Sequence, residues 1–283
     1  MGVKRMTNIG NVRKLKKEEH ILTRPLWEKV FSEDSKEFLD YYYLLKTKDN
    51  EIYVIEDSNQ IVAMLHLNPY QMRIGTQLFD THYIVAVATD ENYRRQGLMS
   101  RLMEHVLDVM TKRGEPFTFL MPANEAYYIP FGFVSIQKKK ECLVSKEPLA
   151  NSGLTFQFAR ENDCEEMANF ANDFLLEYDV STYRTTSYYQ RLLAEHTCEK
   201  GGILIVKKED KIVGLIPYFG TEAREVKGPM LLSEAWMKEV AFYLLNKDEE
   251  QLKVTEYPFM IKILDSKYQN LFKTAKVFMD EVV

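Results

Sequence analysis

Cysteine is scarce in this chain: Cys142, Cys164 and Cys198 are the only three in 283 residues. An odd number without metal-ligand spacing excludes a disulfide framework and a zinc site and leaves buried free thiols. Long apolar runs are also missing. No stretch reaches the length of a bilayer-spanning helix, and the first eleven residues lack the apolar core of a secretory signal, so a soluble, cytoplasmic chain without a membrane partner is expected. Nor is there an excess of positive charge, since 37 Lys and Arg stand against 42 Asp and Glu, for a net charge of −5. The basic runs at 13–17 and 138–140 are short enough to be solvated strand or loop, which excludes general nucleic-acid binding. Neither Cys nor Ser sits in a nucleophile motif, so no covalent enzyme intermediate is expected.

Packing material, by contrast, is plentiful. Hydrophobic residues make up 46%, including 17 Tyr, 16 Phe and 2 Trp, which predicts an ordered core in one large or two ordinary domains. Strand and helix patterns alternate. A basic strand at 11–15 precedes helices at 26–31 and 38–45, the second with Phe38, Tyr42 and Leu45 on one face. Strands at 51–56 and 61–67 flank the turn-forming set Asp57, Ser58, Asn59 and Gln60, another lies between Pro69 and Gly75, and one more spans 83–89. A linker is expected at 145–153. Beyond it come a capping box at 162–165, a helical stripe of Met167, Phe170, Ala171 and Phe174, and a hairpin around Glu209 and Asp210, echoing the first half. The predicted fold class is mixed α/β (α+β), in two domains at 1–150 and 151–283.

Val87, Ala88 and Thr89 end an apolar strand, and Arg94, Arg95, Gln96, Gly97, Leu98 and Met99 carry the chain through a basic glycine turn into a helix. Apolar residues at Met99, Leu102, Met103, Val106, Leu107 and Met110 then recur at helical spacing up to Lys112, Arg113 and Gly114, a preferred helix end. Amides in the turn and the first helical turn have no intrahelical acceptor. With the helix dipole and two arginines they favour a phosphate, and the competing reading is a solvated basic face at a helix start. Downstream, 117–121 reads as a buried strand, Pro122, Ala123 and Asn124 as a helix start, and 126–133 as a short helix breaking into a strand. The second half has no equivalent turn: Gly201 and Gly202 precede a strand, and Lys227, Gly228 and Pro229 a short apolar segment, so a second anion site is not expected.

The run from Arg94 to Met99 resembles the pyrophosphate-binding loop, R/Q-x-x-G-x-G/A, of the GNAT acyl-CoA-dependent N-acyltransferases. The run from Tyr128 to Phe133 resembles their F-Y-x-x-x-G-F segment. Met99 stands where a second small residue usually sits, a departure typical of the Eis-like (enhanced intracellular survival) branch. The surroundings Val87-Ala88-Thr89 and Tyr93-Arg94-Arg95 are similar to that branch as well. The resemblance implies the GNAT fold in a tandem of two GNAT-like domains, only the first binding coenzyme, with acetyl-CoA as co-substrate and no metal. Eis-like proteins often carry a third, sterol-carrier-like domain. Here eighteen residues follow Asp265, so most of it is expected to be missing, and the active-site role of the branch's terminal carboxylate is not carried over to Val283.

The implied reaction moves acetyl from acetyl-CoA to a primary amine by direct attack. It requires loss of a proton from an ammonium of pKa ~10, stabilisation of an oxyanion, and a proton for the departing thiolate. Carried onto this sequence, the resemblance assigns the backbone of Val87, Ala88 and Thr89 to the cofactor and the thioester oxygen. Arg94, Arg95, Gln96, Gly97, Leu98 and Met99 take the diphosphate, and Asn124 joins the cofactor-binding set. Tyr128 is the expected acid, with Tyr127 its local competitor. His66, His82 and Glu125 are candidates for the base, each also readable as a structural polar residue. An acidic chain suits a small cationic amine as acceptor. The alternatives are a non-catalytic acyl-CoA sensor or interaction module, and a protein N-acetyltransferase. A homo-oligomer is left open.

Overall fold

The computed structural model describes residues 9–136, 141–145, 153–220, 225–226, 230–233, 251–255 and 259–279. Residues 146–152 of the expected linker, the basic run 138–140, the segment 227–229, the Cys142 side chain and Val283 lie outside the described residues or side chains. The contacts divide the chain into two compact units interleaved in sequence. One comprises Met1–Tyr70, Asp80–Val134 and Met260–Gln269, the other Gln71–Phe79, Ser135–Phe259 and Asn270–Val283.

In the first unit, β1 (Arg13–Lys14), α1 (Arg24–Val30), α2 (Lys36–Leu44), β2 (Glu51–Asp57), β3 (Gln60–Ile74), β4 (Gln77–Thr89), α3 (Leu98–Lys112) and β5 (Phe117–Leu120) follow one another. Local chemistry accounts for several boundaries. Pro25 opens α1, where its missing N–H has no role, and Ser35 caps α2 by accepting from the Phe38 amide at 2.9 Å. Ser58 and Asn59 at φ 52° and 65° make the two-residue turn that joins β2 to β3. The sheet runs β1-β2-β3-β4-β5 and continues through β15 (Met260–Ile263) to β6 (Val134–Ser135), with β4 and β5 parallel. The α3 residues Leu102, Met103, Val106 and Met110 are all fully buried, as the periodicity requires.

One expected break is absent. The strand set apart between Pro69 and Gly75 belongs to β3, which runs through Pro69 to Ile74. On that edge the ladder to β2 ends at Leu67 and the ladder to β9 (Val180–Thr182) begins at Met72, so the proline falls where neither ladder asks for its N–H.

In the second unit, the sheet order is β7 (Glu141–Ser145), β14 (Gln251–Thr255), β12 (Glu225–Val226), β11 (Lys211–Phe219), β10 (Gly202–Lys208) and β8 (Leu154–Phe158), with β13 (Leu231–Leu232) also on β11. Helices α4 (Cys164–Phe174) and α5 (Thr186–Cys198) pack Met167, Ala171, Tyr189 and Leu192 with Ile203, Ile205 and Leu215 of the strands. The hairpin end Gln71–Phe79 belongs to this unit too. There Arg73 donates to the carbonyls of Leu175 and Tyr178 at 2.5 and 2.6 Å. The expected capping box at 162–165 forms earlier. Asp163 reaches back to the Arg160 amide at 2.7 Å around a single 3-10 turn, and α4 starts after it at Cys164. Cys164 and Cys198 are free thiols.

The two units repeat a pattern. In each, a strand is followed by two helices, with β9 between them in the second unit, and by a hairpin whose first strand pairs with it: β1 with β2, and β8 with β10. Each hairpin closes on a left-handed pair, Ser58-Asn59 or Glu209-Asp210. Each also shifts register at the same distance before the turn, at Ile55/Glu56 and at Val206/Lys207. Among the described residues, no helix is long and apolar enough to cross a membrane.

Candidate active site

The site begins where two strands of the first unit part. Strand β4 meets β5 only at Tyr83 opposite Phe119. Beyond that pair Ala86 takes φ 52°, a left-handed conformation that costs an alanine about 1–3 kcal/mol and bends a strand. The strand end Val87, Ala88 and Thr89 then forms one wall of a cleft of about 730 Å³.

The floor of the cleft is the start of α3. Asp90 caps a 3-10 turn, Glu91–Tyr93, and the chain reaches the helix through Arg95 at φ 62° and Gly97 at φ 75°. A side chain on Gly97 would meet nothing within 4 Å, so glycine serves the backbone angle and not space. As N-cap it supplies no side-chain acceptor, and no acidic residue lies in the first turn of α3. The leading amides therefore retain their capacity for an external anion, next to Arg94 and Arg95, which both line the cleft. Tyr93 steadies the turn by donating its hydroxyl to Asp57 at 2.8 Å.

Tyr127, at the end of the 3-10 turn Glu125–Tyr127, and Tyr128, which packs edge-on against Phe133 at 5.9 Å, also line the cleft. Tyr128 is 8% exposed while Tyr127, also on the cleft, is 58% exposed. Burial, with Tyr127 adding, pushes the Tyr128 phenol up to about 12, so it stays protonated at neutral pH. Among the described residues its hydroxyl has no hydrogen-bond partner.

Residues 11–136 match the model of the acetyltransferase (GNAT) domain. This segment has the GNAT acetyltransferase fold. No curated protein matches the sequence. Among solved structures, a probable N-acyltransferase of Enterococcus faecalis V583 is similar with a TM-score of 0.74 at 16% identity, over 92% of this chain and 73% of that one. A GCN5-related N-acetyltransferase of Kribbella flavida gives 0.70 at 14% identity, over 90% and 73%. Eis1 of Mycobacterium abscessus gives 0.65 at 11% identity, over 93% and 75%. These likenesses are of fold.

Of the residues assigned from sequence, the first unit brings Val87, Ala88, Thr89, Arg94, Arg95, Gly97, Leu98, Met99 and Tyr128 to one cleft. Gln96 and Asn124 do not line it. Gln96 is exposed, and the Asn124 side chain is used to accept from the Ala126 amide at 2.9 Å. Val30, Phe31, Ser100 and Ala123 line the cleft without having been foreseen. Val30 and Phe31 read in sequence only as a helix end, and no spacing relates them to residues far along the chain.

None of the proposed bases lines the cleft. His66 is fully buried beside Trp27 and accepts or donates at 3.2 Å with Tyr42. Burial, helped slightly by His20, lowers it to about 3, which keeps it neutral. His82 pairs with Glu115 at 2.9 Å, and Glu125 is exposed.

Proposed function

We propose that the GNAT domain transfers acetyl from acetyl-CoA to a primary amine by direct attack. One observation carries this reading: the uncapped start of α3, flanked by Arg94 and Arg95, opens into the same cleft as a buried, protonated and unengaged phenol. The residues suit the coenzyme. Arg95 and Gly97 are left-handed, the kind of backbone from which anion-binding turns are built, and a cleft of about 730 Å³ is of ligand size. Acetyl-CoA supplies the acetyl group already activated as a thioester. Val87, Ala88 and Thr89 offer backbone donors on the parted strand, and the Tyr128 hydroxyl holds a proton for the leaving sulfur.

No Asp, Glu or His is among the described lining residues, so the proton of the amine passes to water. The acidic balance of the chain supports a small cationic acceptor. The second unit acts as a degenerate GNAT-like repeat without a coenzyme of its own, a reading supported by the matching hairpins. Likeness to Eis1 over 93% of this chain, together with Met99 in the turn, supports placement in the Eis-like branch.

Thiol release from acetyl-CoA across a panel of amines tests the activity. Amine-dependent release is expected. Tight coenzyme binding without such release would favour a sensor, and failure to bind coenzyme would overturn both readings.

A further inference from the structure

We propose that Asp90 is a positioning residue for the coenzyme turn, and that Lys29 makes its negative charge tolerable beside an anion site. This rests on the coenzyme reading above. Asp90 follows Thr89 at the end of β4 and is 6% exposed. Every polar group it has is engaged within the first unit. Its amide donates to the Val62 carbonyl at 2.9 Å, and its own carbonyl accepts from the Tyr93 amide at 2.9 Å. One carboxylate oxygen accepts from the Asn92 amide at 3.0 Å and from the Asn92 side chain at 3.2 Å, and the other accepts from Lys29 Nζ at 3.1 Å.

Lys29 lies in the last turn of α1, next to the cleft-lining Val30 and Phe31. The pair therefore joins two walls that the sequence keeps 61 residues apart. It also answers an electrostatic problem. A buried carboxylate just before a diphosphate turn would repel the ligand, and Lys29 cancels that charge at its source. Glu91, the second partner of Lys29 at 3.1 Å, is 63% exposed in its side chain and so is screened by water.

The test uses Lys29→Met, Asp90→Asn, the double variant of these two, and Asp90→Ala, all in the full chain. CoA binding is measured by calorimetry, kcat and KM with acetyl-CoA, and amide exchange in the free protein. Lys29→Met is expected to weaken CoA about tenfold, less at high salt, raising KM with kcat largely kept. The double variant lacks the uncompensated charge and should return to within about threefold of the parent protein. In the free protein, Asp90→Ala should speed exchange at residues 92–94 and at Phe31 together. Unchanged CoA affinity in Lys29→Met, or a double variant no better than that single one, would overturn charge compensation. Faster exchange in the turn alone would overturn the link between the walls. If the parent chain binds no CoA, the coenzyme reading falls, charge compensation at an anion site falls with it, and the exchange result still decides the link.

Discussion

Helices α5 and α3 begin in opposite ways. Thr185 caps α5, its hydroxyl accepting from the Tyr188 amide at 3.1 Å, much as Ser35 closes α2. Gly97 stands at the same position of α3 with nothing to offer, in a left-handed conformation and on the lining of the cleft. A capped helix is finished within the chain, whereas an uncapped one beside two arginines is left for a ligand to finish. The glycines of the two units differ in the same sense. The Gly201 amide already donates to the His196 carbonyl at 2.8 Å, and a Cβ there would lie 2.0 Å from the Tyr218 carbonyl oxygen. That glycine permits close strand packing, while Gly97 permits an open turn.

The largest expected effect falls on the wall facing α3. Tyr128→Phe keeps the ring against Phe133 and removes only the proton donor, so turnover should fall about 10²- to 10⁴-fold with CoA affinity near normal. Tyr127→Phe, at an exposed ring, should cost much less. Because the phenol is held near 12, no alkaline limb of the kcat profile below about pH 10 should be assignable to Tyr128. Near-parental turnover in Tyr128→Phe, measured where chemistry limits the rate, would assign the acid to water or another group.

Next comes the open helix start itself. In Gly97→Val the Cβ meets nothing within 4 Å, so the main penalty is the backbone angle, and displaced amides should weaken CoA by about 10- to 100-fold while folding is retained. Calorimetry on the parent chain should find one CoA per chain. Two equivalent sites that survive Gly97→Val would erase the contrast between the units.

The capped helix should behave in the reverse manner. Thr185→Ala is expected to lower stability by about 1 kcal/mol in denaturant titration and to leave CoA affinity unchanged. A loss of affinity comparable to that of Gly97→Val would mean that α5 matters to the site as much as α3 does.

The smallest effect lies away from both helix starts, on Glu51 of β2. Burial alone would raise its pKa, but Lys14 at 2.7 Å, Arg113 at 2.9 Å and the Tyr53 hydroxyl at 3.0 Å bring it down to about 2. A depressed carboxylate stabilises the folded state above its unfolded value near 4.5, and that share is lost as pH falls from about 4.5 toward 2. With solvent screening the share is on the order of 1 kcal/mol. Glu51→Gln should therefore flatten the acid limb of the stability profile and change nothing at the cleft. An unchanged slope between these pH values would remove Glu51 from the acid response.

Much of this was legible along the chain because it depends on near neighbours. The period of α3, the turn residues Ser58-Asn59 and Glu209-Asp210, and the glycine turn after β4 are all set by backbone preferences and spacing within a few residues. The sharing of one cleft by Tyr128 and that turn is a fact of the fold. An asparagine at a helix start also has a local use as a cap, and the Asn124 side chain is put to that use here. Pro69 was read as a break because the ladders that leave its nitrogen idle come from strands distant in sequence.

The amino-acid sequence by itself determined the elements, their order and the uncapped glycine start of one helix beside two arginines, since turn chemistry, side-chain period and charge are local properties. Only the tertiary structure decided that β4 and β5 part at Tyr83, that Val30 and Phe31 line one cleft with Tyr128, and that Lys29 pairs with Asp90. Those facts depend on which surfaces the core brings together, and packing between elements far apart in the chain leaves no periodic mark in either of them.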